Sequence, residues 1–473
     1  MNFGELLQGI SAKSLPVTGI EHDSRRVRPG VVFVCISGRR FDGHSFAEQA
    51  VVAGASFVVG ERYLSLPNYV QVENSRRALA ELAYAYYGDH SQRLQPIGIT
   101  GTNGKSTTCH LIASLLNQGG VPTATIGTLG VFFPEDRRIE TTVNTTPDAV
   151  ELARIFSRLQ EQGAQRVALE VSSQATDQER VWGIKFAGII FTNLTQDHLD
   201  YHKTFEAYFE AKRRLFLLPH RQTVINIDDP YGQRLAAEFP GGYTISLRQP
   251  ARIQAHKVDV TEEGMSFVLL IDGRTEPVAM PLHGIYNLYN LLSALGGIAC
   301  LDLDPFDFLE GVSNLTLPKG RWEVVGQSPT VIVDYAHTPD SMEQVLSHAR
   351  RIARGRVITL FGCTGNRDRE KRPLMGEVAS RHSEFVILSN DNPEGEDPEA
   401  IAKEALVGIS KPHLVELDRE KAIAAAIEMA NPDDVVLILG KGHEETIDFG
   451  QHSLPFSDVA VARRYWEQKR KSL

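Results

Sequence analysis

The sequence predicts an α/β protein of three domains, on three observations. At 473 residues the chain is too long for one hydrophobic core, and domain sizes put it near three. Short aliphatic or β-branched runs alternate with helix-like segments over most of its length, the pattern of parallel sheets covered by helices. One such run meets a helix-like segment through a glycine-rich turn, GTNGKST at residues 101–107, the placement of a phosphate cradle.

Residues 1–91 hold β-like runs at 31–36 and 56–59 and helix-like stretches at 47–53 and 77–87. A polar break, GDHSQRLQP at 88–96, closes this small α/β domain. Residues 92–318 open with the run 97–100 and a helix from the glycine-rich turn to about Gln118, then continue with runs at 166–171, 187–193 and 223–228. This alternation argues for a parallel sheet. The stretch 253–272 differs: two alternating runs flank Glu262, Glu263 and Gly264 and read as a hairpin, an antiparallel elaboration. After the loop LTLPKGR at 315–321, four apolar runs at 330–333, 357–361, 385–388 and 435–439 are separated by helix-like segments. Residues 319–473 therefore read as a doubly wound α/β domain.

A net charge of −10 without a Lys/Arg block argues against nucleic acid as a partner. A composition of 42% hydrophobic and 23% charged residues gives no reason to expect extended disorder. Cys35, Cys109, Cys300 and Cys363 lie far apart without a CxxC, which suggests neither a zinc site nor a disulfide framework and fits a reducing compartment. The start, MNFGELLQGISAKS, lacks a basic segment leading into a long apolar run, and no stretch of 18 apolar residues occurs. A cytoplasmic protein without a membrane span is expected.

In the glycine-rich turn, backbone N–H groups point inward, Lys105 adds a cation, and Ser106 or Thr107 offers a hydroxyl to Mg2+. This reads as an ATP site. The spacing departs from GxxxxGK[ST], since Gly98 lies one residue too far upstream, and the loop is better written GxxGKST. The alternative is an ordinary strand-to-helix turn with Lys105 solvated.

Open α/β sheets bind ligands beyond the carboxyl ends of their strands. Here six apolar runs end in unusual polar clusters. RVALE ends in Glu170 ahead of VSSQ; AGIIFT leads to Asn193 and TQDHLDYH; TVIV leads to Asp334, Tyr335, Ala336 and His337. Likewise VITLF precedes GCTGNRDREKRP, EFVILSN precedes DNPEGEDP, and VVLIL precedes GKGHEE. Glu170 and His198 are candidate partners of a divalent cation, although Mg2+ prefers oxygen to imidazole. Alternatively, His198 is hydrogen-bonded between Asp197 and Asp200, and Glu170 is a solvated strand end. Lys212 falls on the apolar stripe of Phe205, Tyr208, Phe209, Leu215 and Phe216. Either its stem snorkels to the helix edge or it is a buried, reactive amine.

In order and over nearly the whole chain, GTNGKST, EVSSQ, TNLTQDHLDYH, EAKRRLF, HGIYNLYN, LPKGRWE, DYAHTPDS, GNRDREKRP, DNPE and GKGHEE resemble the Mur ligases. Within that family the likeness is to the MurE type, the UDP-N-acetylmuramoyl-tripeptide synthetases of peptidoglycan assembly. The resemblance implies an N-terminal UDP-binding domain (1–91), a central ATPase domain (92–318) and a C-terminal Rossmann-like domain (319–473) that brings the amino acid. It implies an ATP-dependent amide ligase: ATP phosphorylates the D-Glu side-chain carboxylate of UDP-MurNAc-L-Ala-D-Glu, and an amine captures the acyl phosphate. A carboxylate is a poor electrophile, and the mixed anhydride divides amide formation into two feasible steps.

Carried onto this sequence, the resemblance gives the ATP loop as Gly101, Thr102, Asn103, Gly104, Lys105, Ser106 and Thr107, with Asn290, Arg321, Asp334 and His337 also holding the nucleotide. Ser106, Glu170 and His198 would serve two Mg2+ ions. Lys212 matches a lysine that is carbamylated in such enzymes and lies as an anion near the second metal; Lys105, Glu170, His198 and Lys212 make up the catalytic set. Ser24, Asn144, Thr145, Thr146, Ser172, Gln178 and Arg180 would contact UDP-MurNAc-dipeptide, and the TTPD segment beside Asn144 would also suit a helix N-cap. Arg367, Asp391, Asn392, Glu394, Gly440 and Glu444 would form the amino-acid pocket, with Arg367 on the α-carboxylate and Gly440 and Glu444 at the far end.

In the meso-diaminopimelate enzymes of the family the motif is DNPR, whose arginine pairs the additional carboxylate. Here Glu394 takes that place. An anion there repels a distal carboxylate by a few tenths to about 1 kcal/mol if exposed and favours a bare ammonium. L-Lysine or L-ornithine is expected, with meso-diaminopimelate second; Arg369 or Lys371 would supply the missing charge in that case. Folylpolyglutamate synthetase shares the loop and the lysine, but DNP, GKGHE and the N-terminal DSR and FDG favour a UDP-sugar substrate. A non-catalytic ATP-binding scaffold is the remaining alternative. A monomer is expected, and nucleotide residues split between Lys105 and Asn290 on one side and Arg321, Asp334 and His337 on the other imply domain closure on ligand binding.

Overall fold

The computed structural model describes residues 1–38, 41–134, 137–261 and 263–472. The first sheet is parallel, its four strands Gly19–Glu21, Val31–Val34, Phe57–Gly60 and Tyr69–Gln71 lying in chain order. Val31–Val34 is apolar throughout because both of its faces are covered. Phe33 packs among Cys35, Ala47, Ala50 and Val58, whereas Val32 and Val34 join Leu6, Ile10, Leu79 and Leu82. The three-residue edge strands and the helix Phe3–Ser11, closed by a capping box between Asn2 and Glu5, go beyond the sequence reading.

The central sheet has eleven strands. Its parallel core runs Thr123–Gly127, Arg166–Glu170, Ile97–Thr100, Phe186–Phe191, His220–Asn226, Tyr243–Ser246. Ile253–Thr261 continues the parallel pairing beside Tyr243–Ser246, and antiparallel pairing begins beyond it at this end and beyond Thr123–Gly127 at the other. At one end Ile253–Thr261, Gly264–Ile271 and Arg274–Met280 form a three-stranded meander rather than the expected hairpin alone, and of its first turn Glu262 lies outside the described residues. At the other end lie Gly130–Phe132 and Arg138–Glu140, which no apolar run announces. Helices Lys105–Gln118 and Ile285–Ala299 cover one face, and Ala149–Glu161 covers the other.

The third sheet has the order Glu323–Gly326, Thr330–Asp334, Val435–Leu439, Val357–Phe361, Phe385–Leu388, His413–Val415, parallel except for its first strand. Its four long strands are the four apolar runs. Alternate residues serve opposite cores: Val357 and Phe361 face one helical layer, Ile358 and Leu360 the other. The first sheet's domain docks on the second through Arg77 and Asn74, each 2.7 Å from Glu179, and through His22, 3.1 Å from Asp148. The third sheet's domain reaches the second through Asn103–Asp340 (2.8 Å), Gln196–Asp368 (3.1 Å) and Lys371–Asp197 (3.2 Å).

Candidate active site

Strand ends of the second and third sheets open onto one cleft of about 690 Å3. From the central sheet come Thr102 and Asn103 after Ile97–Thr100, Glu170 at the end of its strand, and Thr192 and Asn193 after Phe186–Phe191. Asp334, Thr364 and Asn392 come from the corresponding ends of the C-terminal strands. Such ends carry backbone freed from pairing, which is why the polar clusters gather there.

The glycine-rich turn is held by contacts that tolerate no side chain. Gly104 has φ +88°, and a Cβ on it would lie 2.4 Å from Asn290 Oδ1; a Cβ on Gly101 would lie 1.9 Å from Thr192 Oγ1. No side chain caps helix Lys105–Gln118, so its first N–H groups are open to an anion. Lys105 Nζ donates to the carbonyls of Gly101 (2.9 Å) and Thr102 (2.7 Å). Lys212, fully buried on helix Phe205–Arg213, donates to the same Gly101 carbonyl at 2.8 Å, with its ammonium 4.5 Å from the centroid of the Tyr208 ring. Two ammonium groups thus share one carbonyl oxygen. Burial, then the charge of Lys105, holds the Lys212 pKa far below the usual lysine range, and burial also lowers that of Lys105.

Glu170 is 2% exposed rather than solvated, and accepts from the backbone N–H (3.0 Å) and hydroxyl (3.1 Å) of Thr128. His198, in the left-handed conformation at φ +56°, lies 3.4 Å from Asp197, whereas Asp200 Oδ1 has no hydrogen-bond partner. Asp197 draws the His198 pKa up, but burial and the ammonium groups of Lys212, Lys105 and Lys371 outweigh it and push the value down to about 4. The imidazole is therefore neutral near pH 7.

Thr102 through Thr107, Asn290, Arg321, Asp334 and His337 all line the cleft. Arg321 lies over the Tyr335 ring and donates to Ser106 Oγ at 3.4 Å, joining the two domains. Asp334 accepts from the N–H groups of Trp322 (2.6 Å) and Ala336 (2.7 Å), and His337 Nδ1 donates to the Tyr335 carbonyl. Asn144, Thr145, Ser172 and Arg180 line the cleft as well. Thr146 and Gln178 stand behind them: Thr146 donates to the Glu170 carbonyl, and Gln178 accepts from Arg180. Ser24, in a short helix of the first domain, does not line this cleft. Of the amino-acid candidates, Arg367, Asn392, Glu394 and Glu444 line it. Asp391 and Gly440 lie beneath, where a Cβ on Gly440 would come 2.8 Å from Asp391 Oδ2.

Sequence reasoning missed the buried pair Lys371–Asp197 and the buried Lys441, which donates to Asn392 and Glu444 at 2.8 Å each. Both lysines belong to the polar clusters GNRDREKRP and GKGHEE, which was the available signal. Among the described residues no three His, Cys, Asp or Glu side chains converge as a metal cluster. This donor set, the Glu170 carboxylate, the Ser106 hydroxyl and a neutral His198, fits Mg2+, which keeps waters and phosphate oxygens and few protein ligands.

Three family descriptions divide the chain: Mur ligase family, catalytic domain, over residues 16–87; Mur ligase middle domain over 99–298; and Mur ligase, glutamate ligase domain, over 320–442. The chain belongs to the Mur ligase family, ATP-dependent ligases that use ATP and Mg2+. It is 41% identical over 453 residues to the UDP-N-acetylmuramoyl-L-alanyl-D-glutamate–2,6-diaminopimelate ligase of Aquifex aeolicus (strain VF5), covering 94% of this chain and 93% of that one. The ligase of the same name from Geobacillus thermodenitrificans (strain NG80-2) is 41% identical over 472 residues, 96% of each chain. A solved structure of a ligase so named superimposes with a TM-score of 0.67 at 32% identity, covering 96% of both chains. No described helix is long and apolar enough to cross a membrane.

Proposed function

We propose that this chain joins 2,6-diaminopimelate to UDP-N-acetylmuramoyl-L-alanyl-D-glutamate. ATP transfers its γ-phosphoryl group to the D-Glu carboxylate, releasing ADP; an amine of the diamino acid then attacks the acyl carbon, losing a proton and releasing phosphate. The observation that carries this reading is the pair Lys105 and Lys212 on one carbonyl, in a cleft whose other wall bears Arg367 and Glu444. The relatives' shared name supports the amino acid.

The expectation of L-lysine or L-ornithine drawn from DNPE gives way to its runner-up, because relatives along nearly the full chain are named for diaminopimelate. Glu394 is also no bare anion: Arg367 donates to it at 2.9 Å, which neutralises the charge thought to repel a distal carboxylate. Arg369 and Lys371, the proposed substitutes, are engaged by Glu404 and Asp197.

In this reading Lys105 holds the ATP phosphates, Ser106, Glu170 and His198 serve two Mg2+ ions, and Asn290, Arg321, Asp334 and His337 hold the nucleotide. Lys212 is carbamylated. Its support is electrostatic: burial and the charge of Lys105 disfavour the ammonium form of Lys212, the free amine is nucleophilic towards CO2, and the carbamate formed with loss of a proton compensates Lys105. Asn144, Thr145, Ser172 and Arg180 contact the dipeptide, Ser24 the UDP end on the first domain, and Arg367 a carboxylate of the amino acid. The domains are 1–91, 92–318 and 319–473, and the enzyme is a cytoplasmic monomer. Phosphate release measured with each substrate omitted in turn tests the assignment: release is expected only with ATP, UDP-MurNAc-dipeptide and diaminopimelate together. Release without the dipeptide, or ATP binding without turnover, would overturn it.

A further inference from the structure

Resting on the diaminopimelate reading, we propose that Glu394 acts with Arg367 as a reader of one whole amino-carboxylate centre, Arg367 taking the carboxylate and Glu394 the ammonium of the centre that does not react, in place of the α-carboxylate that the family resemblance gives to Arg367. Arg367 Nη2 and Glu394 Oε1 lie 2.9 Å apart, both on the cleft wall and both partly open to solvent, at 43% and 26% side-chain exposure. A cation and an anion at that spacing are the charge complement of an ammonium and a carboxylate borne on one carbon. The two centres of diaminopimelate are separated by three methylenes, so a pair this tight addresses only one of them.

The pair is built to exchange partners. Glu394 is placed by backbone: its φ is +51°, its N–H donates to the Asp448 carbonyl at 3.0 Å, and its carbonyl accepts from Asn366 Nδ2. Its side chain is thus aimed without being locked. The neighbouring carboxylates differ, because fully buried Arg372 donates to Glu396 twice and to Glu404 once, at 2.8 Å each. Those bonds are structural. A half-exposed pair such as Arg367–Glu394 contributes little when closed and opens readily to a ligand carrying both charges.

The competing role for Glu394 is a plug that merely occupies Arg367, and the two predict opposite shifts. The experiment measures KM for meso-diaminopimelate and for L-2-aminopimelate, which keeps both carboxylates and lacks the distal ammonium, in the parent protein and in Glu394→Gln. The parent should favour diaminopimelate by about tenfold or more, the scale of a charge-assisted hydrogen bond. Glu394→Gln should raise KM for diaminopimelate to that of L-2-aminopimelate and leave the latter unchanged, with KM for ATP reporting that the variant is folded. A fall in KM for diaminopimelate, or an equal preference in both proteins, overturns the inference. Should Glu394→Gln fail to fold, the parent alone decides, since equal KM values for the two ligands overturn it. Turnover of L-lysine instead of diaminopimelate overturns the underlying reading; turnover of diaminopimelate without dependence on Glu394 overturns this inference alone.

Discussion

Two sets of inward-facing cations divide the molecule. In the C-terminal domain Arg419, Arg372 and Lys441 are fully buried, and each meets carboxylates: Arg419 reaches Asp458 through two bonds of 2.7 Å, Arg372 holds Glu396 and Glu404, and Lys441 holds Glu444. In the central domain fully buried Lys212 and partly buried Lys105 spend their hydrogen bonds on backbone carbonyls, and the carboxylates of Glu170 and Asp197 act on them without a direct bond. The first arrangement is closed electrostatically. The second is complete only when anions arrive, whether phosphate or a carbamate, and it is found where the cleft is. Burial alone therefore does not mark a functional cation; burial without a directly bonded carboxylate does.

The contrast is broken most directly at Arg419. Asp458→Ala leaves a guanidinium buried without its carboxylate, which costs about 3–5 kcal/mol, and urea denaturation followed by C-terminal fluorescence should show a correspondingly earlier transition. Lys212→Ala should do the reverse. Removing a buried amine whose charged form is disfavoured should leave the melting temperature of the uncarbamylated protein unchanged or raised, while phosphate release falls about 10^2–10^3-fold or more. A large loss of stability in Lys212→Ala would place this lysine with the structural set. Gly104→Ala has an intermediate effect: the left-handed φ and the contact with Asn290 together cost about 1–3 kcal/mol, read as weaker ATP binding in titration calorimetry.

What the sequence reveals follows from this division. The glycine-rich turn, Glu170 and Lys212 were legible because each violates its surroundings: a glycine run between strand and helix, an acid closing an apolar strand, a lysine on an apolar stripe. Long strands with two buried faces were equally plain. The edge strands Gly19–Glu21 and Arg138–Glu140 were not, since three residues are too few to display a period. The Lys371–Asp197 pair was hidden for another reason: its partners are 174 residues apart and meet only because two domains close upon each other. Glu394 was read in isolation as a free anion, and only the fold brings Arg367 against it.

The same comparison can be sharpened at the other domain boundary, where a titrating contact sits beside a permanent one. His22 and Asp148 lie 3.1 Å apart, and Asp148 also caps helix Ala149–Glu161 by accepting from the N–H groups of Val150 and Glu151. Burial pulls the His22 pKa down, but the hydrogen bond and charge of Asp148 outweigh it, so the net shift is upward from 6.5; Asp148 is shifted downward from 3.8. A raised histidine contributes stability that is fully present below its unfolded value and is lost as pH rises through its folded value. The aspartate's contribution persists until pH falls below its ordinary range. The N-terminal domain should therefore dock less firmly at pH 8 than at pH 6, by a few tenths to about 1 kcal/mol for so accessible a pair. The stability difference between parent and His22→Gln, from urea midpoints, should shrink across that interval. Arg77→Met, which removes the neighbouring Arg77–Glu179 bridge, should give a difference that does not change with pH over the same range, because that bridge contains no imidazole. Parallel pH profiles for the two variants would refute the assignment of His22 as the titrating contact.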